Sequence, residues 1–113
     1  MRWYHNLYEG ERAGKKRYSI IQKIRRRKFQ RGSYVITPPS NGNNVLDIYP
    51  SYILLLPYYR ESDMMILGIA ADYEEALEVA GTIIVDMYKK IGRPDIVEFL
   101  AVVERERETP RRP

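Results

Sequence analysis

The chain has 113 residues and a formal net charge of +4, a length suited to one domain that can bury a single core without metal or disulfide staples. It contains no cysteine and one histidine, His5, which removes disulfide frameworks, thiol catalysis and cysteine-ligated zinc, and leaves histidine metal sites and Ser-His triads without material. Ten tyrosines and a hydrophobic share of 44% mark a folded protein and not a disordered tail.

Charge is unevenly spread. Residues 1–31 carry eleven Lys/Arg against two Glu, and residues 32–113 carry eight against thirteen Asp/Glu. A first third at +9 facing a remainder at −5 points to an anionic partner, or to neutralisation of one part by the other. The opening "MRWYHNLYEGERAGKK" lacks the apolar stretch of a signal peptide. The greasiest run, Ile53 to Leu56, is four residues long between Pro50 and Pro57, too short to span a bilayer. The expected location is cytoplasmic.

In chain order, the pattern from Gly10 to Gly32 is helical. Tyr18, Ile20, Ile21 and Ile24 form one narrow apolar face among Lys, Arg and Gln; Gly14 weakens the first turn and Gly32 is a natural stop. "SYVIT" (33–37) reads as a short buried strand ended by Pro38 and Pro39. Two readings then compete. Asn41-Gly42 favours a hairpin pairing Tyr34 to Thr37 with Val45 to Tyr49. Against it, Val45, Ile48, Tyr49, Tyr52, Leu55, Leu56 and Tyr59 follow a helical stripe, with Asn44 as cap and Pro50 in a first turn. The stripe favours a kinked helix over residues 45–56.

Met64 to Ile69 is a continuous apolar run, as in a strand covered on both faces. Asp72-Tyr73-Glu74-Glu75 fits a capping box in which Glu75 reaches back to Asp72. The helix behind it shows Tyr73, Ala76, Leu77, Ala80, Ile83, Ile84, Met87, Tyr88 and Ile91 on one face and ends near Gly92. Pro94 opens a last helix with Ile96, Phe99, Leu100 and Val103 inward. Residues 104–113, "ERERETPRRP", lack apolar periodicity and read as a disordered charged tail behind a single domain of residues 1–103.

The resulting expectation is a small single α/β domain: a basic N-terminal helix and two or three mainly parallel strands packed by three further helices. The alternative is an α+β domain with a hairpin at 34–49. Two strands joined by a helix should run parallel. A third must come from "RWYHNLY" or from a second copy, since two strands alone make a marginal sheet; the surplus tyrosines favour a dimer.

The motifs "WYHNLYEG", "KIRRRK", "YVITPPSN", "LDIYPS" and "ILGIAADYEEALEVA" together resemble a family of short bacterial proteins with no assigned function, over Trp3 to about Leu100. The resemblance implies a helical segment at Ser51 to Tyr59 and brings no active-site residues with it.

Lys15, Lys16, Arg17, Lys23, Arg25, Arg26, Arg27, Lys28 and Arg31 are the candidate polyanion-binding set, able to neutralise several phosphates, with Tyr18 and Phe29 as stacking surfaces. The plain alternative is a solvated face that offsets the acidic remainder. No helix-turn-helix, zinc-finger or RNP signature supports base-specific readout, and the narrow apolar face argues against a membrane-surface helix. Trp3, Tyr4, Tyr8, Tyr52, Tyr58 and Tyr59 are candidate anchors for a protein partner or a homodimer.

A parallel sheet would also place Thr37, Ser40, Asn41, Asn43 and Asn44 beside Ala70, Ala71, Asp72 and Tyr73 as a ligand rim. Asp47, Asp63, Asp72 and Asp95 are too dispersed for paired acid–base work. No P-loop, G-x-S-x-G or dinucleotide turn is present. The expectation is therefore a non-enzymatic binding module without cofactor or metal.

Overall fold

The apolar runs resolve into a four-stranded sheet in a computed structural model that describes residues 1–108. β1 (Arg2–Glu9), α1 (Glu11–Lys15) and α2 (Arg17–Arg25) come first. β2 (Tyr34–Thr37), β3 (Asp47–Pro50), a 3-10 helix (Ser51–Leu55) and α3 (Pro57–Glu61) follow, then β4 (Met65–Ala70), α4 (Tyr73–Ile91) and α5 (Ile96–Glu108). The sheet order is β1-β4-β2-β3. β1 runs parallel to β4, whereas β2 is antiparallel to both β4 and β3.

The domain is thus a small mixed α and β unit, but the expected two or three mainly parallel strands are corrected to four, mostly antiparallel. The parallel expectation assumed one helix between β2 and β4. In fact β3 reverses the chain first, with Ile36 opposite Ile48 and Thr37 opposite Asp47. The helical crossover therefore joins β3 to β4, two strands of like direction, with β2 between them.

The hairpin reading is the one realised, with β2 paired to Asp47–Pro50 where Val45 to Tyr49 was expected, and a kinked helix over 45–56 is not formed. The two prolines explain why. Each disfavours the helical region for the residue before it, and Leu56, ahead of Pro57, is extended at φ −69° and ψ 137°. Only the short pieces behind each proline coil, Ser51–Leu55 and Pro57–Glu61. The rest of the stripe serves a strand because β2 needs a partner along its second edge.

Two apolar layers sandwich the sheet. On one side Tyr4, Ile36 and Leu67 pack against Ala76, Val79, Ile83 and Met87 of α4 and Ile96 and Phe99 of α5. On the other, Val35, Ile66 and Ile69 meet Ala13, Ile20, Ile21, Ile24 and Leu54. β4 is covered on both faces, which accounts for its unbroken apolar run. The N-terminal strand supplies the extra pairing within the chain, so the two-stranded sheet that favoured a dimer does not exist.

Asp72 caps α4, its Oδ1 accepting the Glu75 N–H at 2.8 Å. The Glu75 carboxylate does not return to Asp72; it is buried and accepts N–H groups from Ala71, Arg12 and Ala13. It so fastens α1 to α4, and a side chain on Gly10 would occupy the space of its carboxylate. The inward face of α4 centres on Ala76, Val79, Ile83 and Met87, while Tyr73, Leu77 and Tyr88 are exposed. Gly92 ends α4 in the left-handed region at φ 76°. α5 starts at Ile96 behind a cap from Asp95, whose Oδ1 accepts the Glu98 N–H. It continues to Glu108, so residues 104–108 are helical and not a disordered tail; residues 109–113 lie outside the described residues.

Candidate polyanion-binding surface

The basic segment is not one helix. Gly14 lowers helix propensity, and the chain breaks at Lys16 (φ −115°, ψ 17°) between α1 and α2. α2 turns Ile20, Ile21 and Ile24 into the core and ends at Arg25. Tyr18, expected on the apolar face, points outward at 75% exposure.

The stop is made by Arg27 and not by Gly32. Arg27 takes φ 58°, its N–H donates to the Ile24 carbonyl at 3.1 Å, and the Lys28 N–H donates to the Lys23 carbonyl at 2.8 Å. That pair of bonds is a Schellman cap with arginine where glycine is usual. The chain then doubles back. The Gln30 side chain, buried, donates its Nε2 to the Ile20 carbonyl at 3.2 Å, and Gly32 (φ 85°) delivers the chain to β2.

Lys15 therefore sits at the end of α1, Lys16 at the break, and Arg17, Lys23 and Arg25 on α2. Arg26, Arg27, Lys28 and Arg31 lie on the return loop. All nine are exposed. Arg17 pairs with Glu9 at 3.1 Å, and the Arg25 guanidinium lies 5.5 Å from the Trp3 ring centre. Lys15, Lys16, Lys23, Arg26, Arg27, Lys28 and Arg31 make no ion pair among the described residues. Three carboxylates of the acidic remainder pair with other cations of the first third: Asp63 with Arg2, and Asp72 and Glu75 with Arg12. Arg12, which the sequence pattern did not single out, is consumed by this joint, and its carboxylate partners raise its pKa above an already basic value.

Aromatic rings flank the charges. Phe29 on the return loop is 59% exposed and tilts against Tyr52 at 5.7 Å between ring centres. Of the six anchors expected for a partner, Trp3, Tyr4, Tyr58 and Tyr59 line one groove, and Tyr8 and Tyr52 lie away from it. Tyr4 belongs to the α4–α5 core. Tyr8 is half-buried and donates its hydroxyl to Asp86 at 2.5 Å; burial first, then that bond, raise its pKa. Trp3 and Tyr59 pack on the α2 side. Only Tyr52 and Tyr58 are exposed, and Tyr58 stands edge-on to Tyr59. An open groove of about 750 Å³ runs past Trp3, Tyr49, Tyr58, Tyr59, Val97 and Leu100.

The expected ligand rim is not assembled. Tyr34, at the start of β2, pairs with Ala70, at the end of β4, so Thr37, Ser40, Asn41, Asn43 and Asn44 sit at the opposite end of the sheet from Ala70, Ala71, Asp72 and Tyr73. The polar loop serves the hairpin instead. Asp47 accepts the Ser40 N–H at 2.8 Å, the Tyr49 hydroxyl at 2.8 Å and the Asn44 amide at 3.2 Å. Burial pushes the Asp47 carboxyl up, and these donors outweigh it and hold its pKa low.

Among the described residues no group of three or more His, Asp or Glu gathers as metal ligands, and no helix is long and apolar enough to cross a membrane. Comparison with models of known protein families, with curated proteins and with solved structures finds no match. What the arrangement can do is therefore read from its charges and rings. The sequence reading missed Gln30, because a helix continued through Arg31 would have carried it away from the Ile20 carbonyl that it bonds.

Proposed function

We propose that this chain is a non-enzymatic, cytoplasmic binding module whose segment 15–31 takes a polyanion, nucleic acid before any other. One observation carries this reading: seven exposed cations of that segment have no carboxylate partner among the described residues. A solvated face that merely offsets the acidic remainder would be expected to pair with it. Released counterions are the driving force, without base readout. Exposed Tyr18, Phe29 and Tyr52 favour single strands, whose bases are free to stack. A membrane surface fits less well, because Ile20, Ile21 and Ile24 are already buried in the core and leave α2 nothing to insert.

The test is anisotropy of labelled single-stranded DNA and RNA against salt. Log affinity should fall linearly with log salt, and replacing Arg26, Arg27 and Lys28 by Gln should shallow the slope by about two units and weaken all sequences alike. Unchanged affinity and slope in that variant would overturn the reading. A second reading, a protein partner seated in the groove beside Tyr58 and Val97, rests on the exposure of those two side chains. Pull-down with and without nuclease separates the two, since a protein bound in the groove survives the nuclease.

A further inference from the structure

The return loop does more than end α2. Folded back by its Schellman bonds and by Gln30, it forms one side of an open pocket of about 400 Å³ against the helix, within the roughly 300–1,000 Å³ typical of small-ligand sites. Lys16, Ser19 and Lys23 line it from the helix side, and Phe29, Gln30 and Arg31 from the loop side. None of its lining residues is acidic, and Lys16, Lys23 and Arg31 are all among the cations without an ion-pair partner. Three like charges around one concavity repel one another, and an anion placed between them relieves that repulsion. The loop backbone is braced before any ligand arrives: the Schellman bonds hold its start, and the Gln30 bond to Ile20 and the buried Ser33–Ser51 hydroxyl contact at 2.5 Å hold its second half. Preorganisation of that kind lowers the cost of binding.

We propose that this pocket is a mononucleotide subsite of the surface: Lys16, Lys23 and Arg31 hold the phosphate, Ser19 adds a hydroxyl donor, and Phe29 stacks the base. The inference deepens the nucleic-acid reading above and rests on it for the choice of anion. Arg26, Arg27 and Lys28 lie outside the pocket lining, so they extend the surface to neighbouring phosphates without touching this one.

The experiment is an NMR titration of the full chain with adenosine 5′-monophosphate, inorganic phosphate and adenosine as separate probes. The monophosphate should shift residues 16–33 saturably, phosphate should shift the same residues more weakly, and adenosine should leave them unmoved. Replacing Lys16, Lys23 and Arg31 by Gln should weaken the monophosphate about tenfold or more, on the scale of lost charge-assisted bonds. Phe29→Ala should weaken the monophosphate and leave inorganic phosphate unchanged. The altered side chains are exposed and lie outside both core layers, so each variant should stay folded, which its melting transition checks.

No saturable shift, or equal binding by the triple variant, overturns the subsite; if long strands still bind with steep salt dependence, the polyanion reading survives that loss. Monophosphate binding lost in the triple variant, with long strands unbound, keeps the subsite and overturns the polyanion reading.

Discussion

Glu75 accepts the Ala13 N–H at 3.0 Å, joining the start of α4 to the first turn of α1 across the end of the sheet. The same carboxylate takes the Ala71 N–H at 3.0 Å, the Arg12 N–H at 3.0 Å and the Arg12 guanidinium at 3.3 Å. Burial pushes its pKa up; the three N–H donors and the Arg12 charge outweigh that and bring it below the ordinary 4.5. A carboxyl with a depressed folded pKa stabilises fully above its unfolded value and loses that contribution as pH falls through the folded value. Urea midpoints should therefore drop below about pH 4.5 in the wild type, and Glu75→Gln should flatten part of that fall. Asp47 and Asp72, also depressed, act in the same acid range, so the difference between the two proteins is the quantity to measure. Glu75→Ala, which orphans three N–H groups, should cost about 2–4 kcal/mol.

Gly68 sits where β4 meets both α4 and β1. A Cβ there would stand 2.9 Å from Val79 Cγ1 and 3.2 Å from Tyr8 Cβ, closer than packed carbons tolerate. Gly68→Ala should destabilise by about 1–3 kcal/mol through overpacking. Val79→Ala in the same chain should recover part of the loss, a coupling that a double-mutant cycle by urea denaturation reads directly. Strictly additive costs would mean that Tyr8 of β1, and not Val79, sets the limit.

Arg27 holds a left-handed backbone at φ 58°, where a side chain is disfavoured and glycine is at ease. Arg27→Gly should raise stability by about 0.5–1 kcal/mol, after the larger unfolded-state entropy of glycine is set against the relieved backbone. It should at the same time weaken single-stranded DNA binding, since one of the uncommitted cations is lost. A gain in melting temperature with a loss of affinity separates the two roles of this residue. Loss of both would show that the arginine side chain, and not its backbone, secures the cap.

Much of the fold was legible because its cues were local. β2, β4, α4 with its Asp72 cap and Gly92 stop, and the covering of β4 on both faces all follow from short-range pattern. Strand direction was not, because it depends on β3, whose residues also satisfy a helical spacing; the extended bias that Pro50 and Pro57 impose on their predecessors was the cue to weigh more heavily. The nine basic residues were legible as a set, but not their arrangement. An arginine in the left-handed region cannot be read from a run of arginines, so the sequence pattern runs the helix past its true end at Arg25 and hides the pocket behind it. Tyr4 and Tyr8 look like interface anchors in the sequence because nothing local shows that β1 pairs with β4 and turns them toward α4.

Arg25 separates charge from position within the same run. Its guanidinium lies over Trp3, 5.5 Å from the ring centre, and Trp3 is the chain's single tryptophan. A cation already engaged with a ring has less to offer a phosphate than Arg26, Arg27 or Lys28, which make no ion pair among the described residues. Arg25→Gln should therefore cost about 0.5–1 kcal/mol of stability, the range of an accessible cation–π contact, and shift the tryptophan emission. Its effect on the salt slope of DNA binding should be smaller than that of Arg26→Gln, each measured as a single variant by anisotropy at matched salt. A slope change at Arg25 equal to that at Arg26, with the tryptophan emission unmoved, would mean that Arg25 leaves Trp3 in solution and joins the phosphate-binding set.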